Sequence, residues 1–534
     1  MRYSIVGSIL CLLLACGCAA TTSITSPNDS VNVTFLHLND TYRIDSVEDG
    51  RRGGFGRIAS LVRALQAGGK EVRILHGGDF LFPSLESQLW DGEQIVEAMN
   101  FLDELAPMYV VPGNHEFDSR SSDAIVARVP ESSFDWIVDN MRLMTGVSAV
   151  DDSMRTGFTF SVGGKLIGVF GLTLHPEHGG NSRDYIEYDD GYVQKAEQII
   201  EQFEADGADL IFGLTHLHLA SDIEIAKLKR RHPTFEFIVG GHEHEVQRHS
   251  GDANTADVMK GASNARTIWQ IDVTFSAGGT EVSSQQIDID QSIAIDPEYQ
   301  VIADKWRGKL LELVPFLASR IGYAATPLDG REASVRNGDS NWGGFIADQM
   351  RTAFRDPPAD LAFINGGTLR IDDFVADDIT FEDIGRTFGF SSYLRHMAMS
   401  GGEFRKTLEA GYRGTGEGKG YFPQISGFRV CVDRNRPDGQ RIVQMQVPTA
   451  ASAWQEIEPE HMYSVVVPDF LYRGGDGYDF TAAADVSRPG SELKFLVLDA
   501  VIRAQAAGTK VGAPLDPRNP RFAIPAPGAQ FCFD

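Results

Sequence analysis

The feature that most constrains this chain is a pattern repeated along its first half: an apolar run stops, and the residues just beyond it are polar. Val31-Asn32-Val33-Thr34-Phe35-Leu36-His37-Leu38 ends at Asn39-Asp40, and Val72 to His76 ends at Gly77-Gly78-Asp79. Met108-Tyr109-Val110-Val111-Pro112 ends at Gly113-Asn114-His115-Glu116-Phe117-Asp118. Leu210 to Leu214 ends at Thr215-His216, and Phe235 to Val239 at Gly240-Gly241-His242-Glu243-His244. Short apolar runs bounded by turn residues read as buried strands. Between them lie helical patterns, such as Ile58, Leu61, Val62 and Leu65. The order predicts a mixed α/β layered fold whose parallel-type strands bring these turns to one sheet edge, where such folds hold ligands.

Collected on one edge, Asp40, Asp79, Asn114, His216, His242 and His244 offer carboxylates, an amide and imidazoles. Mixed N/O donors of this kind suit a pair of divalent cations such as Mn, Zn, Fe or Co. One carboxylate can bridge two ions, and two-metal sites activate water and clamp the oxygens of a phosphoryl displacement. His115 adds a proton donor, and Asp118 a group to orient it and hold its charge.

A helical segment around Asp296 to Leu317 precedes a second domain with a different set of residues. Arg331 and Arg336 flank Glu332 to Val335, and Asn365-Gly366-Gly367-Thr368-Leu369-Arg370 follows the strand Leu361 to Ile364. The formal net charge of −26 disfavours a nucleic-acid polymer and requires local cations to hold an anionic substrate. Three arginines meet that need, because guanidinium makes bidentate bonds to phosphate and carboxylate. Phe390 and Phe470 are either core residues or a pair that grips a planar base. Asp476, on the turn Gly474-Gly475-Asp476-Gly477, has the acceptors to bind ribose hydroxyls.

The motifs of the first half resemble the calcineurin-like metallophosphoesterases, and the two halves together resemble the 5′-nucleotidase and UDP-sugar hydrolase family. The resemblance implies a four-layer α/β/β/α metallophosphoesterase domain over residues 31–295, a linker helix over 296–320, and a smaller α/β nucleotide-binding domain over 321–534. It implies two divalent metals, with Asp79 bridging, Asp40 and His244 on one, and Asn114, His216 and His242 on the other. A metal-bound hydroxide would be the nucleophile; His115, supported by Asp118, would stabilise the transition state or protonate the leaving group. Arg331, Arg336, Asn365, Gly367, Arg370, Phe390, Phe470 and Asp476 would hold a nucleotide. The implied reaction is release of phosphate from nucleoside 5′-monophosphates, with UDP-sugar or cyclic-nucleotide hydrolysis as extensions, and a hinge rotation at the linker.

Three positions depart from the family pattern. Tyr42 stands where a ligand His is usual, and a phenol with an ordinary pKa of ~10 is a poor ligand. Asp45, His37 and His218 are the candidates to compensate, although His218 and His76 read more simply as packing or supporting residues. Arg331 and Arg336 are five apart instead of four, and Gly389 stands where Pro is usual. Tyr42 motivates a second reading, a non-catalytic nucleotide-binding surface lipoprotein. A third keeps the hydrolase with another phosphoester. The segment Gly420-Tyr421-Phe422-Pro423 puts Phe422 either in the cleft wall or beneath it.

Residues 1–20 read as a signal segment: Met1-Arg2-Tyr3, then the apolar stretch Ile5 to Leu14, too short to span a bilayer. Leu13-Leu14-Ala15-Cys16 resembles a bacterial lipoprotein signal, with Cys18 or ordinary cleavage near Ala19-Ala20 as alternatives. Residues 21–30 form a polar tether. The expectation is export to the periplasm or outer membrane, with membrane attachment only through that lipid. Cys431 and Cys532 remain, as a disulfide or as two buried thiols.

Overall fold

The computed structural model describes residues 30–118, 122–176, 184–354, 357–414, 419–449 and 453–533. The expected signal segment, and the tether up to its last residue, lie outside them.

Two six-stranded sheets stack face to face in the first domain. The first runs Gly279–Asp288, Thr267–Ser276, Val31–Leu38, Val72–His76, Met108–Val110, Asp135–Trp136. The second runs Gln247–His249, Asp257–Lys260, Phe235–Gly240, Leu210–His216, Lys165–Thr173, Phe158–Val162. Strand alternation builds the layers. In Val31–Leu38, Val33 and Phe35 pack between the sheets with Phe212 and Phe237, while Leu36 and Leu38 face the outer helices. Both strand faces are therefore buried, which is why the runs read as continuously apolar. Helices Phe55–Ala67 and Glu93–Leu105 cover the first sheet, and Tyr192–Ala205 with Leu219–Ala226 cover the second, completing α/β/β/α. Neighbours Val31–Leu38, Val72–His76 and Met108–Val110 are parallel, as are Leu210–His216 and Phe235–Gly240. Their carboxyl ends open on the same side.

Asp135–Trp136 and Met141–Leu143 are two short strands in different sheets, the latter paired with Ile186–Tyr188. Asn140 makes the break, its amide donating to the carbonyls of Thr173 and Asp189.

The helix after the first domain is Pro297–Leu313, shorter than the sequence pattern. Asp296 caps it, accepting from the amides of Glu298 and Tyr299. It stops where Val314, the residue before Pro315, leaves the helical region (φ −127°, ψ 75°). Tyr299 and Trp306 are buried against the first domain, and the Trp306 indole donates to Glu97 at 2.9 Å. Arg307 makes a bidentate pair with Glu382 of the second domain.

The second domain holds a sheet Leu394–Ser400, Met462–Pro468, Leu361–Asn365, Pro423–Ser426, and another, Trp454–Glu456, Ile442–Pro448, Arg429–Val432, Phe522–Ala523. Helices Asn341–Arg351 and Leu493–Ala506 pack on the first of these. Cys431 and Cys532 are joined in a disulfide, which resolves the alternatives the sequence left open. No helix among the described residues is long and apolar enough to cross a membrane.

Candidate active site

Each candidate ligand of the first domain sits at or just past a strand end. Four of them, Asp40, Asp79, His242 and His244, have φ of 51°, 60°, 87° and 57°. Left-handed backbone at non-glycine residues is costly and clusters at functional sites. Here hydrogen bonds fix it. The Asp40 carboxylate accepts from the amide of His242 (2.9 Å) and the side chain of Asn39 (2.7 Å), and the Asp79 carboxylate accepts from the amide of His115 (2.8 Å). Two glycines are required by close approach: a Cβ on Gly113 would lie 2.2 Å from Asp79 Oδ1, and one on Gly241 2.3 Å from the Gly77 carbonyl oxygen.

Asp40, Asp79 and His244 present ligand atoms all within 4.8 Å of one another. His244 Nε2 lies 3.3 Å from Asp40, and His216 Nε2 lies 3.2 Å from Asp79. The His216 Nδ1–H donates to the Gly77 carbonyl at 2.6 Å, so its buried Nε2 faces the carboxylates. The His242 ring stands 5.4 Å from that of His216, edge to face. A converging set of buried carboxylates and imidazoles, with His216 and His244 each already engaged through Nδ1, fits divalent cations.

The electrostatics agree. Burial alone would raise Asp79, yet the His216 and His115 charges beside it hold it well below the usual carboxylate range. Burial pushes Asp40 up to about 7, with His216 opposing and Asp79 adding. Burial disfavours a charged His216, but Asp79 and Asp40 outweigh it and push it up to about 9. In the metal-free protein a proton on His216 thus balances the carboxylates. Burial holds His242 and His244 neutral, below the ordinary histidine value, as ligand imidazoles must be.

Tyr42 is 5% exposed, and its hydroxyl reaches into the middle of this group. It lies 3.0 Å from His244 Nε2, 3.3 Å from Asp79 and 3.4 Å from Asp40. Burial, then Asp79 and Asp40, push its phenol well above its ordinary pKa, so it enters the site as a neutral hydroxyl. The candidates to compensate for it lie elsewhere or are engaged. Asp45 binds Arg43, His37 Nε2 is 3.0 Å from the Gly240 carbonyl oxygen, and His218 packs edge-on against His242. His76 binds the Thr41 hydroxyl at 2.7 Å.

His115 Nδ1–H donates to Asp118 at 2.8 Å, which turns Nε2 toward the cluster, 3.9 Å from Asp79. The second domain closes over this pair. Arg370 Nη2 is 3.3 Å from His115 Nε2, and the Phe390 ring is 5.7 Å from the His115 ring. The Arg370 guanidinium stands over the rings of Tyr42 and Phe390, and its Nε and Nη1 are buried without a hydrogen-bond partner. Asn365 donates to Asp476 at 2.8 Å, and Gly367 lies against Gly420, its amide donating to the carbonyl there. Phe470 packs beside Gly475 on the Asp476 turn, and Phe422 is core, against Tyr412 and Phe522. Arg336 is buried and bound to Glu332. Arg331 is bound by Asp329 and lies over the Phe374 ring.

Three supporting groups carry no sequence signal of their own. Glu116 accepts from the amides of Asp79, Phe80, Leu81 and Gly113, tying two ligand turns together. Lys260 is buried with Asp222 and Glu243 beneath the His242 turn. Glu332 touches His244 from the second domain.

A family model described as calcineurin-like phosphoesterase matches residues 33–246, and one described as 5′-nucleotidase, C-terminal domain, matches residues 320–485. The chain belongs to the calcineurin-like phosphoesterases, in their two-domain 5′-nucleotidase form. This 5′-nucleotidase-type metallophosphoesterase is 24% identical to the 5′-nucleotidase of Bos taurus over 491 residues, 84% of each chain. It is also 24% identical, over 86% of its own length, to the trifunctional nucleotide phosphoesterase protein YfkN of Bacillus subtilis; the match spans 33% of that longer protein. The crystal structure of a 5′-nucleotidase precursor from Thermus thermophilus superposes with a TM-score of 0.77 at 23% identity, covering 92% of this chain and 99% of the other. Enzymes of this family are hydrolases that use divalent metals, and Asp40, Asp79 and His244 form a buried cluster that could hold such an ion.

Proposed function

We propose that this chain releases phosphate from nucleoside 5′-monophosphates outside the cytoplasm. The observation that carries the proposal is Arg370: a buried cation of one domain, with nitrogens left without hydrogen bonds, aimed at the His115–Asp118 pair of the other, beside the ligand cluster. In an acidic protein that is a receptor for a phosphate. Asp79, Asp40 and His244, with Asn114, His216 and His242, would hold two divalent ions, Zn, Mn, Co or Fe. Such ions supply an activated water and neutralise charge on the phosphoryl group.

The protein's own groups do the rest. Arg370 and Arg336 fix the phosphate oxygens. As the P–O5′ bond breaks, His115, held in line by Asp118, would give a proton from Nε2 to the departing ribose oxygen and be left as the neutral imidazole. Phe390 and Phe470 hold the base, and Asp476, positioned by Asn365, takes the ribose hydroxyls. Gly367 lets the backbone approach the nucleotide. Arg331, already paired with Asp329, contributes to substrate binding through the wall of the cleft. Rotation of the second domain about the Pro297–Leu313 helix would admit substrate. Export accords with the Cys431–Cys532 disulfide, since such bonds persist in oxidising compartments, while lipid attachment at Cys16 rests on the sequence signal alone.

The test is a panel of nucleoside monophosphates, UDP-sugars and cyclic nucleotides offered to protein reconstituted with Zn, Mn or Co. Phosphate release from the monophosphates is expected. Nucleotide binding with no turnover under any metal would favour the binding-protein reading that Tyr42 motivates, and turnover of non-nucleotide esters alone would remove the base-binding assignments.

A further inference from the structure

Glu332 is the one acid of the second domain seen to bond a candidate ligand among the described residues. The residue is 1% exposed. Both oxygens accept from His244 Nδ1, at 3.1 and 3.0 Å. Oε2 also accepts from the Ser263 hydroxyl at 2.6 Å, with Arg266 at 3.5 Å, and Oε1 from Arg336 Nη2 at 2.8 Å. The Asp372 carboxylate holds it from behind, accepting from the Glu332 amide at 3.0 Å. His244, Ser263 and Arg266 belong to the first domain, Glu332, Arg336 and Asp372 to the second.

A carboxylate can only accept, so His244 must carry its proton on Nδ1, and its Nε2 lone pair points to Asp40. That is the carboxylate–histidine arrangement that orients a metal ligand and raises its basicity. The contrast with His216 is direct: that ring is oriented by the Gly77 carbonyl, within its own domain. Nothing within the first domain repeats for His244 what Gly77 does for His216 among the described hydrogen bonds.

We propose that Glu332 is a positioning residue: it orients His244 as a ligand only while the second domain is docked, so that the Asp40–His244 side binds its cation more tightly in the closed protein than in the open one. This rests on the reading of Asp40 and His244 as ligands. Because Arg336 shares the same carboxylate, nucleotide and cation are coupled through Glu332. By linkage, whatever a nucleotide adds to cation affinity, the cation adds to nucleotide affinity.

The experiment is a chelator titration of the full-length, metal-loaded protein, following release of each equivalent of zinc, for wild type, Glu332→Gln and Ser263→Ala. The expected result is that Glu332→Gln weakens one equivalent by about 10–100-fold, the range typical of such supporting groups, and leaves the other within twofold. Ser263→Ala, which removes a bond to Glu332 but not the one to His244, is expected to change both by less than the glutamine variant changes one. A nucleoside monophosphate should retard release of the weaker equivalent in wild type and not in Glu332→Gln. Equal weakening of both equivalents, together with a lowered melting temperature of the metal-free variant, would show a merely structural residue and overturn the proposal. So would an unchanged titration. The readout is metal release, so failure of the hydrolase reading, seen in the turnover panel, is separately visible.

Discussion

The two sides of the ligand cluster are built in different ways. On the Asp79–His216 side every group belongs to the first domain, the ring is held by a main-chain carbonyl, and Glu116 ties the turns together through four amides. On the Asp40–His244 side a tyrosine stands among the ligands and the ring is held by a carboxylate of another domain. One side is rigid by local folding alone. The other is assembled from two bodies. On the proposal above, the two sides would therefore differ in cation affinity, and the side built from two bodies would be the one open to tuning.

The most severe test of this asymmetry is at the residue the two sides share. Asp79→Asn removes the carboxylate that reaches both, and it should abolish retention of both metals and all measurable turnover; metal analysis after dialysis checks it. Next in size is His115→Gln, which leaves the cluster and removes the acid: turnover should fall by about 10²–10⁴-fold with metal content unchanged. A loss of metal in that variant would mean the assignment of His115 as acid is wrong. Tyr42→His then separates the two sides more finely, because it supplies a nitrogen to the weaker side alone. One zinc equivalent should bind tighter by about tenfold or more, a scale like that of other ligand-level changes, and the other should be unaffected. If the tyrosine is itself a required donor, affinity falls instead.

The last test is a pH dependence. His216 is pushed up to about 9, whereas in the unfolded chain it has the ordinary value near 6.5. Between those limits the folded metal-free protein holds a proton that the unfolded chain has released. Its contribution to stability is present below about 6.5 and is lost as pH rises through about 9. A metal must displace the same proton, so affinity should move the other way, rising by up to about tenfold per unit across that window. Melting of metal-free protein and chelator competition at pH 7 and pH 9 should therefore show opposite slopes.

Much of this was legible before any coordinates. The candidate ligand cluster could be read because its residues follow strand ends, with His242 and His244 after the same strand, and parallel strands bring their ends together whatever the loops between them do. A layered α/β fold followed from the alternation of strands and helices, while the four-layer order came from the family resemblance alone. What the sequence did not disclose was side-chain direction. Arg331 and Arg336 look equivalent as letters, yet the first begins a short helix and folds back on Asp329, while the second runs inward to Glu332. Glu332 itself looked like filler between two arginines. Its partner is 88 positions away in another domain, and no periodicity encodes a contact of that kind. Glu116 lay in plain view inside a recognised motif, but a glutamate that collects main-chain amides has no spacing signature.

The disulfide governs how the protein can be made. Cys431 and Cys532 are 101 positions apart, and the loop they close contains both Phe470 and Asp476. In chain-entropy terms, closing a loop of that length is worth about 4–5 kcal/mol. The catalytic half, by contrast, owes nothing to thiols. Material produced in a reducing cytosol, or stored with a thiol additive, would keep its metal ligands in order while the segment that carries Phe470 and Asp476 went without its clasp. Such a preparation would look intact by metal content and misreport its own preference among nucleotides.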